Sequence, residues 1–184
     1  MPEETNAKHD RCGDSNAQNL RIGHGYDKHR LEPLAPIGSG RPLVIGGVAF
    51  EHDRGPVGHS DGDVLLHALT DALLGALALP DIGQLFPNTA AENEGRHSAD
   101  FVSEAMRQVT THGYRVVNVD ATVVLERPKL GDRKAEIRSA IADLLEVEIS
   151  QVNVKGKTGE GVDAVGEGRA IEAQVVVLLQ FGGS

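Results

Sequence analysis

The sequence is poor in three things: it has one cysteine, no tryptophan and 3% aromatic residues in all. A single thiol excludes an internal disulfide, and Cys12 lies in a polar tail where it reads as incidental. Scarce aromatics leave the core to aliphatic side chains, and the 40% hydrophobic content is ordinary for a globular chain. Basic residues are in deficit too: 18 Lys and Arg face 27 Asp and Glu, a net charge of −9. That balance argues against non-specific binding to nucleic acid or to acidic membranes. No apolar run reaches transmembrane length. Residues 1–19 carry Glu3, Glu4, Asp10 and Asp14 and lack an apolar core, unlike a signal or transit peptide. They are expected to be a disordered extension ahead of one domain spanning 20–184, in a cytoplasmic protein.

What is present centres on His59-Ser60-Asp61-Gly62-Asp63-Val64-Leu65-Leu66-His67-Ala68-Leu69-Thr70-Asp71. Ser60 is suited to cap a helix, with Asp63 three residues on as an acidic partner. The apolar run continues through Leu77, and Pro80 limits the helix to about Asp61–Ala78. Asp63, His67 and Asp71 recur every fourth residue, which puts them on one helical face. Polar groups in so apolar a segment need partners, because burying them unpaired is costly. Upstream, Arg21-Ile22-Gly23-His24-Gly25-Tyr26-Asp27-Lys28-His29 reads as a strand with Asp27 and His29 on the same face. Asp27, His29 and His67 then make three ligands, the number that leaves a tetrahedral Zn²⁺ one open position. An isolated His on an apolar helix is more often a satisfied core residue; the strand pair is what raises the metal reading.

These motifs, with Asp81-Ile82-Gly83-Gln84-Leu85-Phe86-Pro87, closely resemble those of the 2-C-methyl-D-erythritol 2,4-cyclodiphosphate synthase family, over about Arg21 to Leu179. The resemblance implies a homotrimer with active sites between adjacent subunits and a small-molecule substrate. It implies Zn²⁺ on Asp27, His29 and His67, one per subunit, with a substrate phosphate in the fourth position. It places Glu160 beside a second ion, Mg²⁺ or Mn²⁺, that bridges two phosphates. His59 and Ser60 would contact the phosphate and methylerythritol part, with the helix N-terminus facing the same anion. Asp81, Ile82 and Gly83 would hold the methylerythritol hydroxyls. Asn88 stands where many members have Asp. Leu125, Pro128, Lys129 and Leu130 match the cytidine pocket, and Gly156, Lys157 and Thr158 the positions near the nucleotide phosphates. His59, Ser60, Thr158 and Glu160 are the catalytic candidates. The chain departs from the common bacterial pattern at Ala164, where the family has Phe, and in the order of Glu167 and Arg169.

Implied too is the reaction: the 2-phosphate of 4-diphosphocytidyl-2-C-methyl-D-erythritol 2-phosphate attacks the β-phosphorus, a cyclic diphosphate forms and CMP leaves. The nucleophile is already an anion, which agrees with the lack of any nucleophile–base pair in the sequence. A P-loop is a poor rival: Gly156-Lys157-Thr158 resembles its end, but Gln151 stands where its first Gly belongs. A non-catalytic metal-stabilised trimer and a Zn hydrolase acting on a nucleotide diphosphate are the remaining rivals.

The rest of the chain alternates strands and helices. Strands are expected at 21–28, in two short pieces within Pro42–Phe50 broken at Gly46-Gly47, at Arg115–Leu125, from Gln151 to Val154 and at Ala170–Phe181. Helices are expected from Ser98, as a cap, to a stop at Gly113, and over Arg133–Glu146. Residues 30–42, 81–89 and the Gly-rich run after Val154 read as loops. The fold class is α/β (α+β): one domain, a mixed sheet with helices packed on it.

Overall fold

The computed structural model describes residues 19–58, 60–86 and 96–182. Its strands are β1 (Leu20–Pro33), β2 (Leu43–Ile45), β3 (Val48–Phe50), β4 (Arg54–Pro56), β5 (Tyr114–Val124), β6 (Val152–Lys157) and β7 (Ala170–Phe181). Its helices are α1 (Val64–Ala76), α2 (Ile82–Leu85), α3 (Ser98–Thr111), α4 (Lys134–Leu145) and α5 (Asp163–Gly166). Five strands form a mixed sheet in the order β4-β1-β7-β5-β6. All neighbours are antiparallel except β5 and β6, which run parallel with α4 between them in sequence. A parallel pair needs such a crossover, and α4 supplies it.

Helix α1 lies across β1 and β7, with Leu65, Leu66, Leu69, Leu73 and Leu74 fully buried between sheet and α3. The close approach of α1 to β1 depends on two glycines. A Cβ on Gly25 would stand 1.8 Å from the Ala68 carbonyl oxygen, and one on Gly23 would stand 1.8 Å from that of Ala72. Residues 23, 25, 27 and 29 share one face of β1. The strand therefore presents bare backbone where the helix crosses and larger side chains, Asp27 and His29, where it begins.

Several expectations change. The first strand runs on to Pro33, because Leu31–Pro33 pair with β4, so the following loop is shorter. The central helix starts at Val64, and its cap is Asp63, not Ser60. Asp63 is fully buried and accepts four backbone N–H bonds. Leu65 and Leu66 donate to Oδ1 at 3.1 Å each, Gly46 to Oδ1 at 2.9 Å and Gly47 to Oδ2 at 2.7 Å. Gly46 and Gly47, with φ of +60° and +80°, form the tight turn of the β2–β3 hairpin. One carboxylate thus closes the helix and ties the hairpin to it.

Ile82–Leu85, expected as loop, is one helical turn capped by Asp81, which accepts from the Gln84 N–H at 2.9 Å. Ser98 is the first residue of α3 but makes no capping bond to it; its hydroxyl is turned toward the site. Gly113, at φ +76°, follows the helix as its left-handed terminator. Strand β6 continues to Lys157 because it pairs with β5 as far as Val124. The expected residue 1–19 extension, His59 and Asn88 lie outside the described residues, save for Asn19.

The sheet face opposite α1 carries Ile22, His24 and Tyr26 of β1 against Leu178, Val176 and Gln174 of β7. Ile22 is 72% exposed, Tyr26 48% and Val176 43%, a large apolar area to leave in water.

Candidate functional site

Strand β1 and helix α1 bring three ligand atoms together. His67 Nδ1 lies 3.0 Å from Asp27 Oδ2 and 3.1 Å from His29 Nε2, and those two atoms are 3.2 Å apart. Donors bound to a tetrahedral Zn²⁺ at about 2.0–2.1 Å stand about 3.3 Å from one another. The triangle is within a few tenths of an ångström of that, so Asp27, His29 and His67 can hold a metal ion. The two imidazoles meet edge-on, with ring planes at 88°.

The charges suit the same end. Burial works to raise the Asp27 carboxyl, but its close contact with His67, the nearby imidazoles and the Lys28 N–H outweigh it and hold it below its ordinary value. Burial lowers His29, against the pull of Asp27. A carboxylate and a neutral imidazole are the forms that bind a metal.

The ligands open on a cavity of about 490 Å³, lined also by Ser60, Asp71, Ile82, Gly83, Phe86 and Phe101. Asp71, a turn beyond His67 on α1, accepts from the Ile82 N–H at 2.8 Å and so docks α2 at the cavity wall. Asp81 caps α2 and is exposed beside that wall. Phe86 and Phe101 pack at 4.7 Å between centroids with ring planes tilted by 42°, and the Phe101 ring lies 5.8 Å from that of His67.

Behind His67, the ring's other nitrogen, Nε2, is 2.9 Å from Ser98 Oγ and 3.2 Å from Ser60 Oγ. The Ser98 hydroxyl donates to Asp61 Oδ1, and the Ser98 N–H donates to Asp61 Oδ2 at 2.9 Å. Burial works to raise Asp61, but these bonds and the Asp63 N–H prevail and keep it low.

A second cavity, of about 300 Å³, gathers Leu125, Lys129, Leu130, Gly156, Lys157, Thr158 and Glu160, with Lys134 from the start of α4. Three lysines line it in a chain whose net charge is −9. The Thr158 hydroxyl donates to Glu160 Oε1 at 3.0 Å. Pro128 stands apart, in a neighbouring depression with His52 and Asp53. The two cavities share no lining residue.

A family model described as the YgbB family matches residues 20–180. The chain belongs to the YgbB family. Among its relatives is the 2-C-methyl-D-erythritol 2,4-cyclodiphosphate synthase of Rhodopirellula baltica, 54% identical over 87% of this chain and 93% of that protein. The chloroplastic synthase of Arabidopsis thaliana is 52% identical over 87% of this chain and 67% of that one. Among solved structures, IspF of Plasmodium falciparum in a CDP complex superposes with a TM-score of 0.77 at 35% identity, over 90% of this chain and 98% of that one. A cyclodiphosphate synthase bound to CDP gives 0.78 at 39% identity, over 87% and 100%. The YgbB relatives are thus named as synthases, which are enzymes, and two of the solved ones hold a cytidine nucleotide.

Sequence reasoning overlooked Asp61, Ser98, Lys134, Phe86 and Phe101. Asp61 stands inside the central motif, between residues that were assigned roles, and that position was its signal. Ser98 reads in the sequence as a helix cap, which hides its second use. No helix among the described residues is long and apolar enough to cross a membrane.

Proposed function

We propose that this YgbB protein is a metal-dependent phosphorus–oxygen lyase. It converts 4-diphosphocytidyl-2-C-methyl-D-erythritol 2-phosphate to 2-C-methyl-D-erythritol 2,4-cyclodiphosphate and CMP, in the non-mevalonate supply of isoprenoid precursors. The observation that carries this reading is the pairing, on one chain, of a three-ligand metal triangle with a separate lysine-lined cavity. The names and CDP complexes of its relatives agree with it.

In this reading Asp27, His29 and His67 hold Zn²⁺, and Glu160 holds Mg²⁺ or Mn²⁺. When bound, the ions supply Lewis acidity and charge neutralisation for phosphate oxygens. Leu125 and Leu130 form the cytidine side of the second site, with Pro128 in the depression next to it. Lys129, Lys134 and Lys157 screen the diphosphate, with Gly156 giving close backbone approach and Thr158 a hydroxyl donor. In the larger cavity Ile82 and Gly83, with Asp81 beside it, take the methylerythritol hydroxyls, and Ser60 adds a substrate contact; His59 and Asn88 are assigned substrate contacts by the family resemblance alone. His59, Ser60, Thr158 and Glu160 are the groups assigned to the reacting phosphates.

The 2-phosphate oxygen forms a bond to the β-phosphorus. The bond from that phosphorus to the bridging oxygen breaks, and CMP leaves with the electron pair. No general base is required of the chain, because the attacking oxygen is already anionic. Its task is to fold a flexible, self-repelling substrate, and such preorganisation is worth up to about 7–11 kcal/mol. Two cavities with no common wall are most simply joined across a subunit boundary, in a homotrimer packed through the face bearing Ile22, Tyr26 and Val176. The proposed compartment is the cytoplasm, where a chain with one thiol and no disulfide is at home.

The test is ³¹P NMR of the metal-loaded protein with that substrate, followed over time. A cyclic diphosphate growing in step with CMP is expected. Linear phosphates in its place would make the protein a hydrolase, and unchanged substrate would overturn the reading.

A further inference from the structure

We propose that Asp61 and Ser98 are positioning residues for the metal centre: through a carboxylate–hydroxyl–imidazole chain they fix the His67 tautomer that leaves Nδ1 free to bind the ion. The proposal rests on the reading of His67 as a metal ligand. It concerns two residues to which the sequence assigned no part in the site.

The argument is one of donors and acceptors. His67 points Nδ1 at Asp27 and His29, and Nε2 at Ser98 Oγ. A neutral imidazole carries one proton, and whichever nitrogen holds it cannot bind a metal. A serine hydroxyl has one hydrogen, and that of Ser98 is directed to Asp61, whose carboxylate can only accept. The Ser98 oxygen therefore has lone pairs left to accept from Nε2–H; Asp27 Oδ2 faces Nδ1 as a second acceptor, so it is the Ser98 contact that keeps a proton on Nε2 when Nδ1 gives way to the ion. Asp61 is itself fixed: the Ser98 N–H donates to Oδ2 at 2.9 Å and the Asp63 N–H to Oδ1 at 3.2 Å, while the Asp61 N–H donates to the Arg96 carbonyl at 3.3 Å. Ser98 is fully buried at the start of α3 and makes no capping bond there. Ser60 Oγ, 3.2 Å from Nε2, accepts from the Gly62 N–H and among the described residues has no carboxylate behind it, so it is the weaker partner.

Partners of this kind typically change metal affinity by about 10- to 100-fold when removed. The test uses the full chain freed of metal, with Zn²⁺ as the probe. Zinc affinity is measured by competition with a chromogenic chelator, and the His67 tautomer by ¹⁵N-edited imidazole NMR. The wild-type ring should carry its proton on Nε2. Ser98→Ala and Asp61→Asn should each mix the tautomers and weaken zinc about 10- to 100-fold. The double variant should be no weaker than the weaker single one, because both act through one chain. Ser98→Thr, which keeps the hydroxyl, should recover most of the affinity. If Ser98→Ala does not fold, Asp61→Asn carries the test, since it leaves the Ser98 packing in place. Zinc affinities within about threefold of wild type in the folded variants, or a wild-type ring with no proton on Nε2, would overturn the proposal alone. A wild-type chain that takes up no zinc would overturn the metal reading as well.

Discussion

Removing one ligand leaves two, too few to hold an ion of this kind firmly. His67→Ala is expected to drop zinc content from about one per chain to below about 0.1, with activity falling in parallel. Metal analysis of the purified variant checks this, and normal turnover without zinc would sink the ligand assignment. Asp71 offers a test by pH. Burial raises its carboxyl above the ordinary value; the Ile82 N–H opposes this, and the charges of Asp81 and Asp27 add to it. A raised folded-state value means that the folded chain keeps the proton to higher pH. Stabilisation from this group is then complete below the unfolded value of about 3.9 and is lost as pH rises through the raised one. Asp71→Asn keeps an acceptor for Ile82 without the charge. In urea titrations of the metal-free protein its midpoint should exceed that of wild type at pH 7, and the difference should vanish toward pH 4. Equal midpoints at pH 7 would count against the assignment.

Between elements, the contact that matters is α1 on β1. Gly25→Ala puts a methyl group 1.8 Å from the Ala68 carbonyl oxygen, a backbone atom that cannot swing aside. The helix and strand must part, at a cost of about 3 kcal/mol or more. Since Asp27 and His29 sit on one and His67 on the other, zinc affinity should fall with stability. Gly75→Ala in the same helix is the control: its Cβ meets only the His24 oxygen, at 3.9 Å, and should stabilise by up to about 1 kcal/mol. Paired denaturation curves and zinc titrations separate the two. Asp63→Ala removes the cap of α1 and leaves the hairpin N–H groups of Gly46 and Gly47 unpaired. The expected loss is about 2–4 kcal/mol, seen as a lower urea midpoint.

For the whole molecule, the question is the exposed sheet face. If the two cavities are completed between copies, a charge in that face should separate the copies without disturbing the metal triangle. Ile22→Asp or Val176→Asp is therefore expected to lower the sedimenting mass to that of one chain and keep zinc at about one per chain. CMP release should fall by about 100-fold or more, as reacting groups lose their alignment. A variant that is monomeric by sedimentation and fully active would confine the complete site to one chain.

The sequence by itself determined the local parts. Four-residue spacing put His67 and Asp71 on one helical face, and alternation put Asp27 and His29 on one side of a strand. Runs such as Val175–Leu179 and the stripe of Ile137, Ile141 and Leu145 fixed β7 and α4, because hydrophobic period depends on neighbours along the chain. The Gly46-Gly47 break marked the hairpin for the same reason. Three decisions came from the tertiary structure alone. Asp63 replaced Ser60 as the cap of α1, because its carboxylate could satisfy the hairpin as well as the helix. Ser98 turned from its own helix to His67 once Asp61, 37 residues away, supplied an acceptor for its hydrogen. Lys134 joined Lys129 and Lys157 because α4 starts beside the end of β6. Capping and tautomer choice depend on which groups compete for one proton or one lone pair, and those competitors meet only when the chain is folded.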